Sequence, residues 1–235
     1  RAWQSAPGAS LTFSVAVPLA PADWSGLSLA VGVALAEALE PLSVATASAP
    51  RLQLKWPNDL WLRDEPPAAR PGDAGAAVAQ GPTWRKLGGI LIETVAVGAQ
   101  RLAIVGVGLN VSPRPLPPAD EAQALSSGYA CLQELDARFS APQALACVAP
   151  ALMAALRQFE QEGLAPWLAA FARRDLLRGR AVATTLADVP QGVAEGVDTR
   201  GVLQLCSAGV LHAVSSGEVS IRPLPQAALQ IEGTS

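Results

Sequence analysis

The chain has 235 residues, half of them apolar and 16% charged, which allows one large domain or a domain with a small appendage and argues against wholesale disorder. The net charge is −3 with no dense Lys/Arg run, so no nucleic acid and no anionic membrane surface is expected as a partner. Three widely spaced cysteines (Cys131, Cys147, Cys206) suggest neither a disulfide framework nor a zinc ribbon but reduced cytoplasmic thiols, and any His-based metal centre or Ser-His-Asp triad would rest on His212 alone.

Residues 11–19 (LTFSVAVPL) alternate apolar and small side chains and end at a proline, the pattern of a strand. Residues 26–39 predict a helix, with Asp23 or Ser25 as N-cap and Pro41 as its stop. Its apolar run, residues 27–36, is too short to span a bilayer. Residues 51–56 (RLQLKW) predict a second strand. Pro57-Asn58-Asp59 is a turn, because proline fixes φ while Asn and Asp bond back to nearby backbone. Residues 63–83, rich in Pro, Ala and Gly, read as a surface loop.

Residues 86–94 (KLGGILIET) and 100–110 (QRLAIVGVGLN) predict two strands joined by a hairpin turn at Val97-Gly98-Ala99. Their near-continuous apolar character predicts a sheet covered on both faces. A Pro-rich loop follows over residues 112–124. Residues 143–163 predict a helix with Leu145, Val148, Leu152, Leu156 and Phe159 on its apolar stripe, Pro142 near its start and Gly163 at its end. Residues 164–177 predict a shorter helix. Beyond Arg178, five short apolar runs (181–186, 192–197, 202–206, 210–214, 218–222) are separated by turn signals, which suggests a small β-barrel and a domain boundary near Gly179.

Three segments could carry chemistry. In Lys55-Trp56-Pro57-Asn58-Asp59 a strand ends in a cation, a ring, a rigid turn and a carboxylate, where a scaffold holds side chains firmly; an ordinary strand-to-turn junction would use the same residues. In Lys86-Leu87-Gly88-Gly89 a lysine precedes two strand glycines. That pattern marks either close approach of an anionic ligand or a β-bulge at Gly88-Gly89 with a solvated lysine. In Gly106-Val107-Gly108-Leu109-Asn110 two glycines share one strand face and leave it flat, either for a thin ligand or for tight packing, while Asn110 could both donate to and accept from a nucleobase edge.

Taken in this order, KWPND, RKLGGILIE and GVGLN resemble the pattern of biotin protein ligases. The opening Arg1-Ala2-Trp3 resembles the end of their Gly-Arg-rich loop, and residues 7–14, 159–168 and 217–222 are similar as well, so the resemblance covers nearly the whole chain. Arg1-Ala2-Trp3 has no cap or turn logic as a native terminus; with the resemblance, this gives the expectation of an N-terminally truncated family member. Residues 63–83 then read as an insertion.

The resemblance implies an α+β fold. A mixed β-sheet flanked by helices, like that of class II aminoacyl-tRNA synthetases, would span residues 1–178, and an SH3-like β-barrel residues 179–235. It implies an ATP-dependent ligase that forms biotinyl-5′-AMP and passes biotin to a lysine of a biotin carboxyl carrier domain, using ATP, biotin and Mg²⁺. It implies Lys86 as the catalytic lysine, with Lys55, Asn58 and Asp59 in the turn beside the reacting groups. Trp3 would pack on biotin and the adenylate together with Arg1, and Thr12, Ser14, Gly89, Leu91, Gly106 and Gly108 would form the biotin pocket. Asn110 would serve the adenine and phosphate end, and Glu218 and Arg222 would approach the nucleotide side. A homodimer through an exposed sheet edge is a further expectation. Two alternatives stay open: a lipoate ligase with the same two-step chemistry, and a non-catalytic remnant that binds biotin or an adenylate without turnover.

Overall fold

The structure is a computed structural model that describes residues 8–41, 50–64, 83–113, 128–215 and 221–223. Among these, two five-stranded sheets and three α-helices make an α+β fold. The first sheet runs in the order β1-β5-β4-β3-β2. Its strands are β1 (Ser10–Pro18), β2 (Leu52–Lys55), β3 (Asp59–Arg63), β4 (Trp84–Val97) and β5 (Gln100–Asn110). Every ladder between them is antiparallel. Where a mixed sheet is expected, parallel pairing among the described residues is confined to the isolated bridges Leu54–Asp175 and Lys86–Tyr129.

One face of this sheet holds the core. Helix α1 (Leu27–Leu39) is buried along almost its whole length, because it lies between the sheet and α2 (Ala141–Glu162). That position explains its uniform Leu/Val/Ala composition, since a helix covered all round needs no polar stripe. Gly32 faces β2 and β4, where a Cβ would stand 3.3 Å from Leu54 Cδ2 and 3.7 Å from Ile90 Cδ1. The N-cap of α1 is neither Asp23 nor Ser25 but Gly26, at φ 79°; Asp23 instead accepts the Ser25 N–H at 2.9 Å in a local turn. Helix α2 begins with a capping box between Ser140 and Gln143 and ends at Gly163. Its buried stripe is Ala144, Val148, Leu152, Ala155, Leu156 and Phe159, whereas Leu145 faces solvent. The helix expected over residues 164–177 divides into a 3-10 turn (Ala165–Trp167) and α3 (Leu168–Arg174).

The other face of the first sheet is not covered by any described element. Burial alternates along β1 and β5, and Leu91 of β4 is 61% exposed, so the expectation of two covered faces is corrected. The apolar run in β4 and β5 includes side chains that stay exposed on the open face, Leu91 and Val95 among them, so an apolar sequence does not mean that both faces are packed.

The second sheet follows in the order β10-β6-β7-β8-β9, all antiparallel. Its strands are β6 (Ala181–Thr184), β7 (Gln191–Val197), β8 (Leu203–Ser207), β9 (Val210–Val214) and β10 (Ile221–Pro223). It docks on the first sheet. The Trp56 indole N–H donates to the Gly201 carbonyl at 3.0 Å, and the Arg180 guanidinium lies 3.9 Å from the centre of the Trp84 ring. The three cysteines are free, and no described helix is long and apolar enough to cross a membrane.

Candidate active site

A bulge decides which way Lys86 points. Along β4, Gly88 pairs with Leu60 of β3, but Lys86 pairs with Trp61, so Leu87 is the extra residue. In an unbroken strand, positions 86 and 89 would lie on opposite faces, because side chains alternate. The bulge turns Lys86 onto the open face with Gly89, one residue earlier than a bulge at Gly88-Gly89 would fall.

There the Lys86 ammonium pairs with Asp59 Oδ1 at 2.6 Å. Asp59 begins β3 opposite Lys55 of β2 and opposite Gly89 of β4. Gly89 is the floor beneath the pair: a Cβ at this position would stand 3.2 Å from Asp59 Oδ1 and 3.7 Å from Lys86 Nζ. Lys55 and Lys86 are the two lysines of the chain. Lys55 Nζ lies 5.7 Å from the centre of the Trp61 ring, over the strand that carries Asp59. Asn58 is a strut. Its amide nitrogen donates to the Ile90 carbonyl at 2.6 Å, and the Ile90 N–H returns a bond to the Asn58 carbonyl at 2.9 Å.

The open face extends from this pair across β5 to β1. Register sets Gly89 opposite Gly108, and Gly108 opposite Thr12; in the next row Leu91 lies opposite Gly106, and Gly106 opposite Ser14. Thr12 and Ser14 are exposed. The result is a flat strip with a cationic end, hydroxyls at the far edge and little side-chain bulk between. Gly88 serves the opposite face. A Cβ there would stand 2.4 Å from the Gly108 carbonyl oxygen and 2.7 Å from Leu109 Cδ2, so Gly88→Ala must push β4 and β5 apart. A loss of about 2–3 kcal/mol is expected from urea unfolding, the upper part of the range for overpacked sites. Asn110 closes the strip near Lys86, donating from its amide to the Ala130 carbonyl at 2.9 Å and to the Lys86 carbonyl at 3.3 Å.

Some expected site residues have no described side chain. Arg1, Trp3 and Glu218 are outside the described residues; Arg222 is placed by its backbone alone, opposite Ala183 in the pairing of β10 with β6. The 63–83 loop leaves and returns at one point, because the Asp64 N–H donates to the Thr83 carbonyl at 2.9 Å; residues 65–82 lie outside the described residues. This is why a sequence separation of 27 residues brings Asp59 and Lys86 together.

One element of the site has no signature in the local sequence. Arg85, next to Lys86, pairs with Asp64 and with Glu134 Oε2 at 2.5 Å, and donates to the Tyr129 carbonyl at 2.7 Å. It clamps residues 129–134 against β4, where the Ala130 N–H binds the Lys86 carbonyl at 3.0 Å. Burial alone would raise both carboxyls. The hydrogen bonds and charge of Arg85, helped by Thr83 at Asp64 and by the Cys131 N–H at Glu134, outweigh it and hold both below their ordinary values of 3.8 and 4.5. A carboxyl depressed in the fold stabilises it above its unfolded value and loses that contribution as the pH falls through the folded value. Stability is therefore expected to decline with acid below about pH 4.5, and more shallowly in Arg85→Met, in a series of urea titrations.

The model of the Biotin/lipoate A/B protein ligase family matches residues 1–110, and that of the Biotin protein ligase C terminal domain matches residues 179–222. The chain is 33% identical over 226 residues to the Bifunctional ligase/repressor BirA of Escherichia coli, covering 94% of this chain and 61% of that protein. It is 32% identical over 228 residues to the Biotin--[acetyl-CoA-carboxylase] ligase of Mycobacterium tuberculosis, covering 93% of this chain and 72% of that protein. The chain belongs to the biotin protein ligase family. It spans about three fifths of the length of the Escherichia coli relative. Its fold matches that of the biotin protein ligase from Aquifex aeolicus solved in complex with biotin and ATP, with a TM-score of 0.66 at 22% identity over 92% of this chain and 79% of that one.

Proposed function

We propose that the chain carries the reaction centre of an ATP-dependent biotin ligase, and that the open strip binds biotin and its adenylate. The observation that carries this is the Lys86–Asp59 pair at 2.6 Å, placed by the bulge at one end of the glycine-floored strip. In the proposed reaction a carboxylate oxygen of biotin forms a bond to the α-phosphorus of ATP and pyrophosphate leaves. The amine of an acceptor lysine on a biotin carboxyl carrier domain then attacks the acyl carbon and AMP leaves. Both partners of the first step are anions, so a fixed cation is needed to bring them together and to stabilise the charge that develops. Lys86 supplies it, and Asp59 holds the ammonium in place. Gly89, Gly106 and Gly108 leave room for the biotin chain, Leu91 gives it an apolar contact, and Thr12 and Ser14 offer hydroxyls at the far edge. Lys55 adds a second positive charge at the turn.

Among the described residues no three metal-ligating side chains form a cluster, and Asp59 already meets Lys86. One carboxylate fits Mg²⁺ that arrives with ATP and takes its other ligands from phosphate and water. Such an ion would screen phosphate charge, with Asp59 as its protein ligand.

Residues 1–178 form the catalytic domain in this proposal. Residues 179–235 form a second domain whose five described strands suit an SH3-like barrel, and by the family resemblance Arg222 of β10 would serve the nucleotide side from there. Among the described strands β1 ends the first sheet, and a second copy could add at that side. The match to the Biotin protein ligase C terminal domain favours biotin over lipoate as substrate.

The test is transfer of biotin to a purified carrier domain with ATP and Mg²⁺, with lipoate in parallel. Biotin labelling of the carrier supports the proposal; lipoate labelling alone overturns the choice of acid. Asp59→Asn should lower the rate of pyrophosphate exchange into ATP about tenfold, corresponding to about 1.4 kcal/mol of lost charge positioning. An unchanged rate would remove Asp59 from the mechanism.

A further inference from the structure

We propose that Trp56 is a positioning residue for the Lys86–Asp59 pair, and that the tight turn of residues 198–201 in the second sheet sets that pair through the Trp56 indole. The inference rests on the ligase reading for its functional meaning, but not for its geometry.

Trp56 is the second residue of KWPND and is 1% exposed, so it is shielded from solvent and from the open strip. Its ring fills core space, which a phenyl ring could also do. Its N–H is the specific feature: it donates to the Gly201 carbonyl, 145 residues away, at 3.0 Å. A buried N–H without an acceptor costs about 1–3 kcal/mol, so this bond selects the orientation of the indole.

The acceptor is itself fixed. Gly201 has φ +78°, and its N–H donates to the Asp198 carbonyl at 3.0 Å. Asp198 Oδ1 accepts the Arg200 and Val202 N–H groups, both at 2.9 Å. A Cβ on Gly201 would stand 3.0 Å from Leu29 Cδ1 and 3.1 Å from Gly26 Cα, so the turn is seated against the start of α1.

From the indole onward the chain has little freedom. The Pro57 carbonyl accepts the Ser28 hydroxyl at 3.1 Å, Asn58 exchanges two hydrogen bonds with Ile90, and Asp59 meets Lys86. Four consecutive residues, Trp56 to Asp59, therefore connect Gly201 to the lysine, held in turn by the 198–201 turn, by α1 and, for the last two, by β4. If the indole rotates, the backbone that presents Asp59 rotates with it, and the ion pair loosens. Coupling of this kind needs its own measurement, because proximity alone does not show it.

The sequence makes the measurement simple, since Lys55 and Lys86 are the two lysines of the chain. Trace labelling with an acylating reagent, read by mass spectrometry against the α-amine, reports Lys86 without any ligand. Trp56→Phe keeps a smaller aromatic ring and removes the donor. Asp198→Ala loosens the turn and leaves Trp56 intact, so it decides the matter if Trp56→Phe fails to fold. Asp59→Asn calibrates the effect of a broken pair. We expect Lys86 to acylate at least about threefold faster in the folded variants than in the parent chain, approaching the Asp59→Asn rate, because the ion pair shields the amine. Wild-type labelling of Lys86 in a folded Trp56→Phe or Asp198→Ala chain, with Asp59→Asn accelerated, would overturn the proposal while leaving the ligase reading untouched. Where biotinyl-adenylate formation is measurable, the same variants should lower kcat per folded chain about tenfold with KM for ATP changed less than about twofold, the folded fraction being measured separately so that loss of folded protein does not count.

Discussion

Replacing Lys86 by alanine is expected to lower the rate of biotinyl-adenylate formation by about 10²–10³, the effect of removing one fixed donor from a site of developing charge. The physical basis is the placement of this ammonium. It is 30% exposed, so water still competes for it, but its orientation is fixed by Asp59 on one side and by the bulged backbone on the other. The Lys86 carbonyl is bound by the Ala130 N–H and the Asn110 amide, so the backbone that carries the side chain stays in place in the variant. The loss should therefore fall on the reaction and little on stability, although Asp59, 13% exposed, loses its partner. Biotin-dependent exchange of pyrophosphate into ATP measures the step directly. A Lys86→Ala chain that exchanges at the parental rate would remove the lysine from the chemistry.

The second large effect is on stability. Arg174 is the one charged side chain among the described residues that is fully buried, at 0% exposure. Its guanidinium donates to Glu40 Oε2 at 3.0 Å, to the Leu52 carbonyl at 2.8 Å and to the Glu40 carbonyl. Glu40 in turn accepts the Arg51 and Leu52 N–H groups, each at 2.9 Å. The cluster satisfies the end of α1 and the entry to β2 at once, and it anchors α3 to both. Arg174→Met would leave the Glu40 carboxylate and two carbonyls without that donor. The expected cost is about 3–5 kcal/mol, the usual penalty for breaking a buried pair from one side. Glu40→Gln alone should also destabilise, because each carboxylate oxygen accepts one backbone N–H and an amide NH2 cannot. Urea unfolding of the two variants tests this, and a loss below about 1 kcal/mol in Arg174→Met would show that water replaces the guanidinium there.

The glycines of the open strip were legible in the sequence because a strand glycine leaves a visible gap in an otherwise bulky pattern. Gly106 and Gly108 at alternate positions give one flat face, and register then sets them opposite Ser14 and Thr12. The orientation of Lys86 was not legible from alternation, since the bulge at Leu87 depends on how β3 meets β4. Burial of β4 and β5 was misjudged for a related reason: an apolar run looks the same whether a second layer covers it or its side chains, such as Leu91 and Val95, stay exposed. Arg174 and Arg85 carry no local signal, because their partners lie across the fold, Glu40 at a separation of 134 residues and Glu134 at 49. Asn58, expected beside the reacting groups from the resemblance, donates its amide to the backbone of β4, which a turn motif does not disclose.

Titration calorimetry with a non-hydrolysable biotinyl-adenylate analogue tests the central claim most directly, because it reports occupancy of the Lys86 strip whether or not this chain turns over. Saturable one-to-one binding, weakened at least about tenfold (about 1.4 kcal/mol) by Lys86→Ala, is the expected result. Binding that is absent from the folded chain, or unchanged by loss of Lys86, would contradict the placement of the adenylate on this face of the sheet.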